Sequence, residues 1–323
     1  MKCKILFAIF LTFYVLGTSA SDIIWLSNTP PEKIAKEIRH GMHSVSYIIE
    51  KDGTEKKILW IRSGRFPVES KYTDSTNTKI PETFVLSPDG KLIKGELAHS
   101  RIGYVLTYEG NIEGFYNSYL TEKFIQGDTL YIMAAKAEVL SHKCSKGHAG
   151  IQKKMPPNTL IKHIPFEIVR KRISGEDFHT YLTSGDDITL KVFLNGEPSK
   201  GLIIMLSTQK KWTNNLTTDI NGEATFQLIG DYYSKWKELN KRKIHNFLLV
   251  AEHTVTANGS YQGVPYKHVH YTGTLSGKYI PSKTMYTSYV YGFILFIFVI
   301  AITSILIFFY RRRRRKLFNV SSI

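Results

Sequence analysis

Cysteine is almost absent from this chain. Of 323 residues only Cys3 and Cys144 are cysteine. Cys3 lies at the extreme N-terminus, so the rest of the chain carries one thiol and no internal disulfide. A disulfide-stapled scaffold is thereby excluded, and stability has to come from an apolar core. Catalytic signatures are missing as well. There is no Gly-x-Ser-x-Gly, no His-Glu-x-x-His, no phosphate loop and no Cys-x-x-Cys. The paired carboxylates Asp186-Asp187 stand at a turn leading into a strand, where turn chemistry accounts for them. The expectation is a protein that is not an enzyme. Fixed-period repeats and low-complexity segments are also absent.

Acidic residues are missing from both ends, and each end reads as a membrane signal. Lys2 and Lys4 precede an apolar run, Ile5 to Leu16, which Thr18-Ser19-Ala20 follow. The run is short for a bilayer span, and the small residues suit cleavage, so residues 1–20 read as a signal peptide. An uncleaved anchor helix is the alternative. At the other end Tyr289 to Tyr310 carries no charge and is long enough to cross a bilayer as a helix. Arg311, Arg312, Arg313, Arg314, Arg315 and Lys316 follow at once. Such a block stops transfer and stays in the cytoplasm. A single-pass protein is expected, with its bulk in the periplasm or at the cell exterior and a short cytoplasmic tail, 311–323.

The net charge of +16 divides accordingly: the two end segments hold eight cations and no acids, which leaves +8 on the part between. That surplus suits anionic lipid or acidic protein neighbours. The arginine run adjoins a span, so no nucleic-acid partner is inferred.

The part between is rich in Tyr, Phe, Ile, Val and Thr, with Gly, Asn, Asp and Pro punctuating short apolar runs. This predicts a mainly β fold: two Ig-like or transthyretin-like β-sandwich domains plus one C-terminal transmembrane helix. Three prolines in "KKMPPNTLIKHIPFEIVRKR" put the boundary near residue 165, giving domains 21–165 and 166–284. Thr29-Pro30 with Glu32 predicts one short helix ending near Gly41. Asp-Gly turns predict two hairpins, around Gly53 and Gly90. In "DDITLKVFLNGEP" Ile188, Leu190, Val192 and Leu194 fall on one face, with Thr189 and Lys191 on the other. Asn195-Gly196 and Asn221-Gly222 are turns, and about seven strands are expected in this half.

The stretch "GDDITLKVFLNGEPSKGLIIMLSTQ…TTDINGEATFQLIG", with "IPFEIV" and "DIIWL" upstream, resembles a family of exported β-sandwich proteins associated with nickel or cobalt uptake. Some members are single-span accessory subunits of energy-coupling-factor nickel/cobalt transporters. The resemblance is best over 185–230. It implies an extracytoplasmic accessory protein that binds nickel or cobalt, or gates a transporter, with membrane transporter subunits as partners. Family members often carry a histidine beside the mature N-terminus, where this chain has Ser21-Asp22. The other reading is a surface interaction or adhesion module that uses no metal.

Two side-chain sets are candidate metal ligands. In "SHKCSKGH", His142 and Cys144 share a face if the strand runs through Cys144, and Gly147 allows a turn that brings His148 back. Imidazole and thiolate suit nickel, cobalt, copper or zinc, although Lys143 and Lys146 stand beside them. In "YKHVHY", His268 and His270 share a face, and His253 on the preceding strand joins them if the register allows. His40 and His43, flanking Met42, are a weaker pair at a helix end.

Overall fold

The computed structural model describes residues 23–31, 47–49, 55–73, 76, 81–141, 164–176, 180–231 and 244–320. The chain is mainly β, with one C-terminal helix. Among the described residues ten strands precede residue 165: β1 (Ile24–Ser27), β2 (Tyr47–Ile49), β3 (Glu55–Ser63), β4 (Lys71–Tyr72), β5 (Glu82–Leu86), β6 (Leu92–Lys94), β7 (Glu96–His99), β8 (Tyr104–Glu109), β9 (Gly114–Gln126) and β10 (Thr129–Ser141). Eight follow: β11 (Phe166–Arg170), β12 (Asp187–Leu194), β13 (Glu197–Pro198), β14 (Ile203–Ser207), β15 (Thr213–Thr217), β16 (Glu223–Gln227), β17 (His245–Tyr261) and β18 (Val264–Tyr279). The helix α1 spans Lys283–Val320. The signal-peptide residues, the helix expected before Gly41 and the Asp52-Gly53 turn lie outside the described residues.

The turn chemistry forms where the sequence places it. Asp89-Gly90 joins β5 to β6, with Gly90 at φ +81°. Asn195 and Gly196 both take positive φ between β12 and β13, the pair of left-handed residues that a two-residue hairpin needs. Asp219 Oδ1 accepts from the amides of Asn221 and Glu223 and sets the next turn. On β12 the alternation holds: Ile188, Leu190 and Val192 are buried, while the Thr189 hydroxyl meets that of Thr225 on the other face.

The described strands form three sheets, and the eight-stranded one is shared by both halves of the chain. Its order is β15-β14-β17-β18-β10-β9-β5-β6. The join is β10 beside β18, a parallel pair running from Thr129↔His268 to Ala137↔Ser276. Alternation along β10 then feeds two cores. Leu130 and Ile132 face the four-stranded sheet of β11, β12, β13 and β16 through Phe166, Ile168 and Leu190. Met133, Ala135, Ala137 and Val139 face the six-stranded sheet of β1–β4, β7 and β8 through Ile24, Leu26, Leu59 and Leu106. Two sandwiches therefore share their middle layer.

Charges cross the interface with the four-stranded sheet. Lys136 Nζ lies 2.6 Å from Glu167 Oε1, which also accepts from the Tyr119 hydroxyl at 2.7 Å. Arg170 bridges Glu138 at 3.0 Å and Glu176 at 2.6 Å. These strands look solvated in the sequence, but the second sheet closes over that face.

β1 meets the middle sheet edge-on. Its residues are buried on both faces: Leu26 among the β10 side chains, Trp25 against Leu248 and Val250. Gly64 N donates to Ile23 O, so the carbonyls of residues 24, 26 and 28 point away from β3. Side chains of β18 receive them. Thr274 Oγ1 donates to Ile24 O at 3.0 Å, Ser276 Oγ to Leu26 O, and Lys278 Nζ to Asn28 O at 3.2 Å. An edge that backbone pairing leaves open is thus closed by a row of side-chain donors.

Lys278 is the strained member of that row. Burial pushes its pKa down to about 7. The unfolded chain holds this proton up to pH ~10.4, so between those values unfolding takes up a proton and stability rises with pH. Lys278→Met is expected to raise the unfolding midpoint at pH 7 and below, with the gain shrinking towards pH 10. Chemical denaturation at pH 6, 8 and 10 checks this; a loss of stability at pH 6 would show that the Asn28 bond outweighs burial.

Candidate functional site

Among the described residues, polar side chains gather in two places besides the Arg170 cluster. The first is the face of the middle sheet that the six-stranded sheet leaves uncovered, across β9, β10, β18 and β17. Phe124 stacks on Tyr131 at 5.2 Å between centroids, and Tyr131 lies 5.2 Å from the His270 ring. Thr254 Oγ1 is 2.8 Å from His270 Nδ1, and Glu252 Oε1 is 3.7 Å from His270 Nε2. Arg65, from the loop after β3, holds both Glu252 oxygens at 2.9 and 2.8 Å. His270 first, then Arg65, outweigh the effect of burial and hold the Glu252 carboxyl below its usual range. This row fastens the loop to the sheet.

His253 is not part of that row. Counted back from the hairpin turn, where Tyr261 pairs with Val264 and Gly259 with Tyr266, His253 would fall opposite Thr272, on the face of His268 and His270. A register shift between Thr256 and Gly259 puts it opposite Tyr271 instead. One extra residue reverses the face. The second candidate metal set, His253, His268 and His270, does not come together. Among the described residues no group of three or more His, Cys, Asp or Glu side chains is placed to hold a metal ion. His142, Cys144 and His148, like His40 and His43, lie outside the described residues.

The second place is a cleft of about 320 Å³ at the open end of the sandwich between the six-stranded sheet and the β5–β6 hairpin. Its rim carries Lys56, Lys91, Lys94, Asp89, Glu96 and Glu109. Ile93, Ile112, Tyr108 and Tyr116 complete the wall. Lys56 pairs with Glu96 at 3.1 Å and Lys91 with Asp89 at 3.2 Å. Asn111 Nδ2 donates to Glu109 at 2.9 Å. The Ser87 hydroxyl first, and Lys91 in support, hold the Asp89 carboxyl below its usual range. Burial pushes the Tyr116 phenol up, with its hydroxyl fixed by the Ile112 amide and carbonyl. Gly95 lets β6 pass from one sheet to β7 in the other, since a Cβ there would lie 2.3 Å from Leu106 Cδ1. The sequence showed the hairpin but not the cleft, because its rim draws on residues from 56 to 111.

The C-terminal helix contains one stretch, Val290–Arg314, long and apolar enough to cross a membrane, and none of it is buried against the β body. The helix continues through the basic block to Val320, with the Arg314 guanidinium 5.5 Å from the Tyr310 ring. Its start follows the sheet almost without a linker. Ile280 N donates to Leu182 O, Ser184 N donates to Ile280 O, and Ser282 N donates to Ser184 Oγ, one residue before Lys283.

No family model matches the chain, and no curated protein matches it. Some solved structures do. The BSP domain of a biofilm-associated protein is 8% identical over 68% of this chain and 27% of its own, at a TM-score of 0.16. The D0-D1 domain of intimin is 11% identical over 69% and 89%, at 0.20. A Ca²⁺-stabilised, ice-binding adhesin of an Antarctic bacterium is 9% identical over 80% and 49%, at 0.19. The chain spans about a quarter of the first of these and half of the third. Superpositions this loose carry no functional argument.

Proposed function

We propose that the protein is a single-span surface interaction module: a β body held outside the cytoplasm, close to the bilayer, that works by binding. The direct passage of β18 into α1 carries this reading. Ser282 is hydrogen-bonded to the body, and the apolar stretch begins at Val290. Seven residues of helix rise only about 10 Å. The leader-like N-terminus and the basic block after the span favour the extracytoplasmic side for the body. The 16-residue β18 then carries its hairpin tip roughly 50 Å away. At that tip β17 and β18 run beyond both neighbours, since β14 ends its pairing at Ala251 and β10 begins at His268.

Capture of nickel or cobalt forms no part of the proposal: among the described residues no group of three or more His, Cys, Asp or Glu side chains is placed to hold a metal ion, and His142, Cys144 and His148 lie outside them. The full chain is expected to stay with membranes through alkaline carbonate extraction, whereas a chain ending at Ser282 is expected to be released with the same unfolding midpoint. Extraction of the full chain would contradict the anchor. Calorimetric titration with Ni²⁺ and Co²⁺ is expected to show no micromolar site. Binding that disappears in Cys144→Ser/His148→Ala would instead establish the metal-uptake reading.

A further inference from the structure

The rim of the cleft between the sandwich layers has chemistry of both signs, and the topology fixes where it lies. β10 runs parallel to β18, β9 antiparallel to β10 with Ser141 opposite Gly114, and β5 antiparallel to β9 with Leu86 opposite Asn117. Leu86, Gly114 and Ser141 therefore lie at the end of the sheet where Tyr279 leads into α1. The turn of residues 87–91 and the segment 109–112, which form the cleft, share that end. The cleft lies at the end of the sheet from which the span leaves, on strands set off from β18, rather than at the distal tip.

We propose that this cleft takes a zwitterionic phosphate headgroup of the phosphoethanolamine type from the adjoining bilayer, an inference that rests on the membrane-anchored reading above. Three lysines match a phosphate and three carboxylates match a primary ammonium. The two signs stand as close pairs, Lys91 with Asp89 and Lys56 with Glu96. Each pair has one well-exposed partner, Lys91 at 79% and Glu96 at 67%, and such pairs contribute little as they stand, so a ligand that offers both opposite charges replaces them at small cost. A purely anionic ligand would meet the carboxylates, and a purely cationic one the lysines. A sugar gains little here from stacking, since the aromatic rings of the wall, Tyr108 and Tyr116, are 3% and 1% exposed. Ile93 and Ile112 give the cleft an apolar wall where the glycerol end of a lipid would lie.

The test uses the full chain in a non-ionic detergent, so it does not depend on which way the protein faces in the cell. Glycerophosphoethanolamine, glycerophosphoglycerol, inorganic phosphate and maltose are titrated separately by calorimetry. Glycerophosphoethanolamine alone is expected to bind, one per chain, at least tenfold more weakly in Lys91→Gln and in Glu109→Gln. Unchanged thermal midpoints in both variants exclude misfolding, and the selectivity of the unmodified chain stands without them. Equal binding of glycerophosphoglycerol or phosphate, binding of maltose, or no binding at 10 mM on the order of detectable weak affinity would each overturn the proposal. In nanodiscs, phosphatidylethanolamine in the disc is expected to compete with the soluble compound, and phosphatidylcholine is not. An affinity unaffected by phosphatidylethanolamine would assign the cleft to a free solute and overturn the lipid source.

Discussion

Arg170→Met is expected to lower folding stability by about 3–5 kcal/mol, with a fall in Tm on the order of 10 °C. The guanidinium is 7% exposed and stands between Glu138 and Glu176, 12% and 6% exposed. Removing it leaves two buried carboxylates with Arg172, 3.5 Å from Glu176, as the remaining guanidinium beside them. The pH dependence identifies the cause. Burial by itself would raise the Glu138 pKa, but Arg170, Arg172 and Lys136 outweigh it and hold the carboxyl below its usual range. In the parent this contribution is complete above the unfolded value of ~4.3 and is lost as pH falls through the lower folded value. In the variant the carboxylates are unfavourable when charged, so the gap between the two proteins is widest at neutral pH and narrows on acidification. A loss below about 1 kcal/mol that stays flat with pH would mean that water reaches the carboxylates.

Trp25→Ala is expected to cost about 3–5 kcal/mol. Trp25 is fully buried and fills the angle where β1 abuts the middle sheet, against Leu248, Val250 and Met205. Its Nε1 donates to Ser70 Oγ at 3.1 Å, and its ring lies 4.6 Å from the Arg62 guanidinium. Desolvation already lowers the Arg62 pKa, and the guanidinium is held by the Pro67 and Ser70 carbonyls. The substitution removes apolar volume, a hydrogen bond and one face of that cation's enclosure together. Trp25→Phe keeps most of the volume and is expected to retain more than half of the stability lost in Trp25→Ala. Denaturant midpoints of the three proteins decide the matter; equal midpoints for Trp25→Ala and the parent would show that β1 is not anchored by this side chain.

The local features of the fold were legible. Asn195-Gly196, Asn221-Gly222 and Asp89-Gly90 turn the chain as their residue types require, and the alternation on β12 identifies its buried face. The long-range features were not. Nothing in residues 129–141 says that they lie parallel to residues 268–280, and this pairing makes the two sandwiches share one sheet. Polar residues in β10 and β11 give no sign of burial, because Lys136 and Glu167 are buried by each other's strands. The histidine set shows the same limit at the scale of one residue. The face of His253 depends on a bulge between Thr256 and Gly259 that composition does not mark. The cleft was illegible because residues more than fifty positions apart form it.

The central claim is that α1 holds the β body outside the cytoplasm. It is tested most directly with single cysteines introduced into a Cys3→Ser/Cys144→Ser chain and labelled with a membrane-impermeant maleimide on intact cells or spheroplasts. One cysteine replaces Ser260, exposed near the hairpin tip, and the other replaces Ser322, after the basic block. The expected result is labelling of Ser260→Cys without permeabilisation and of Ser322→Cys only after it. The reverse pattern would place the body in the cytoplasm and contradict the account.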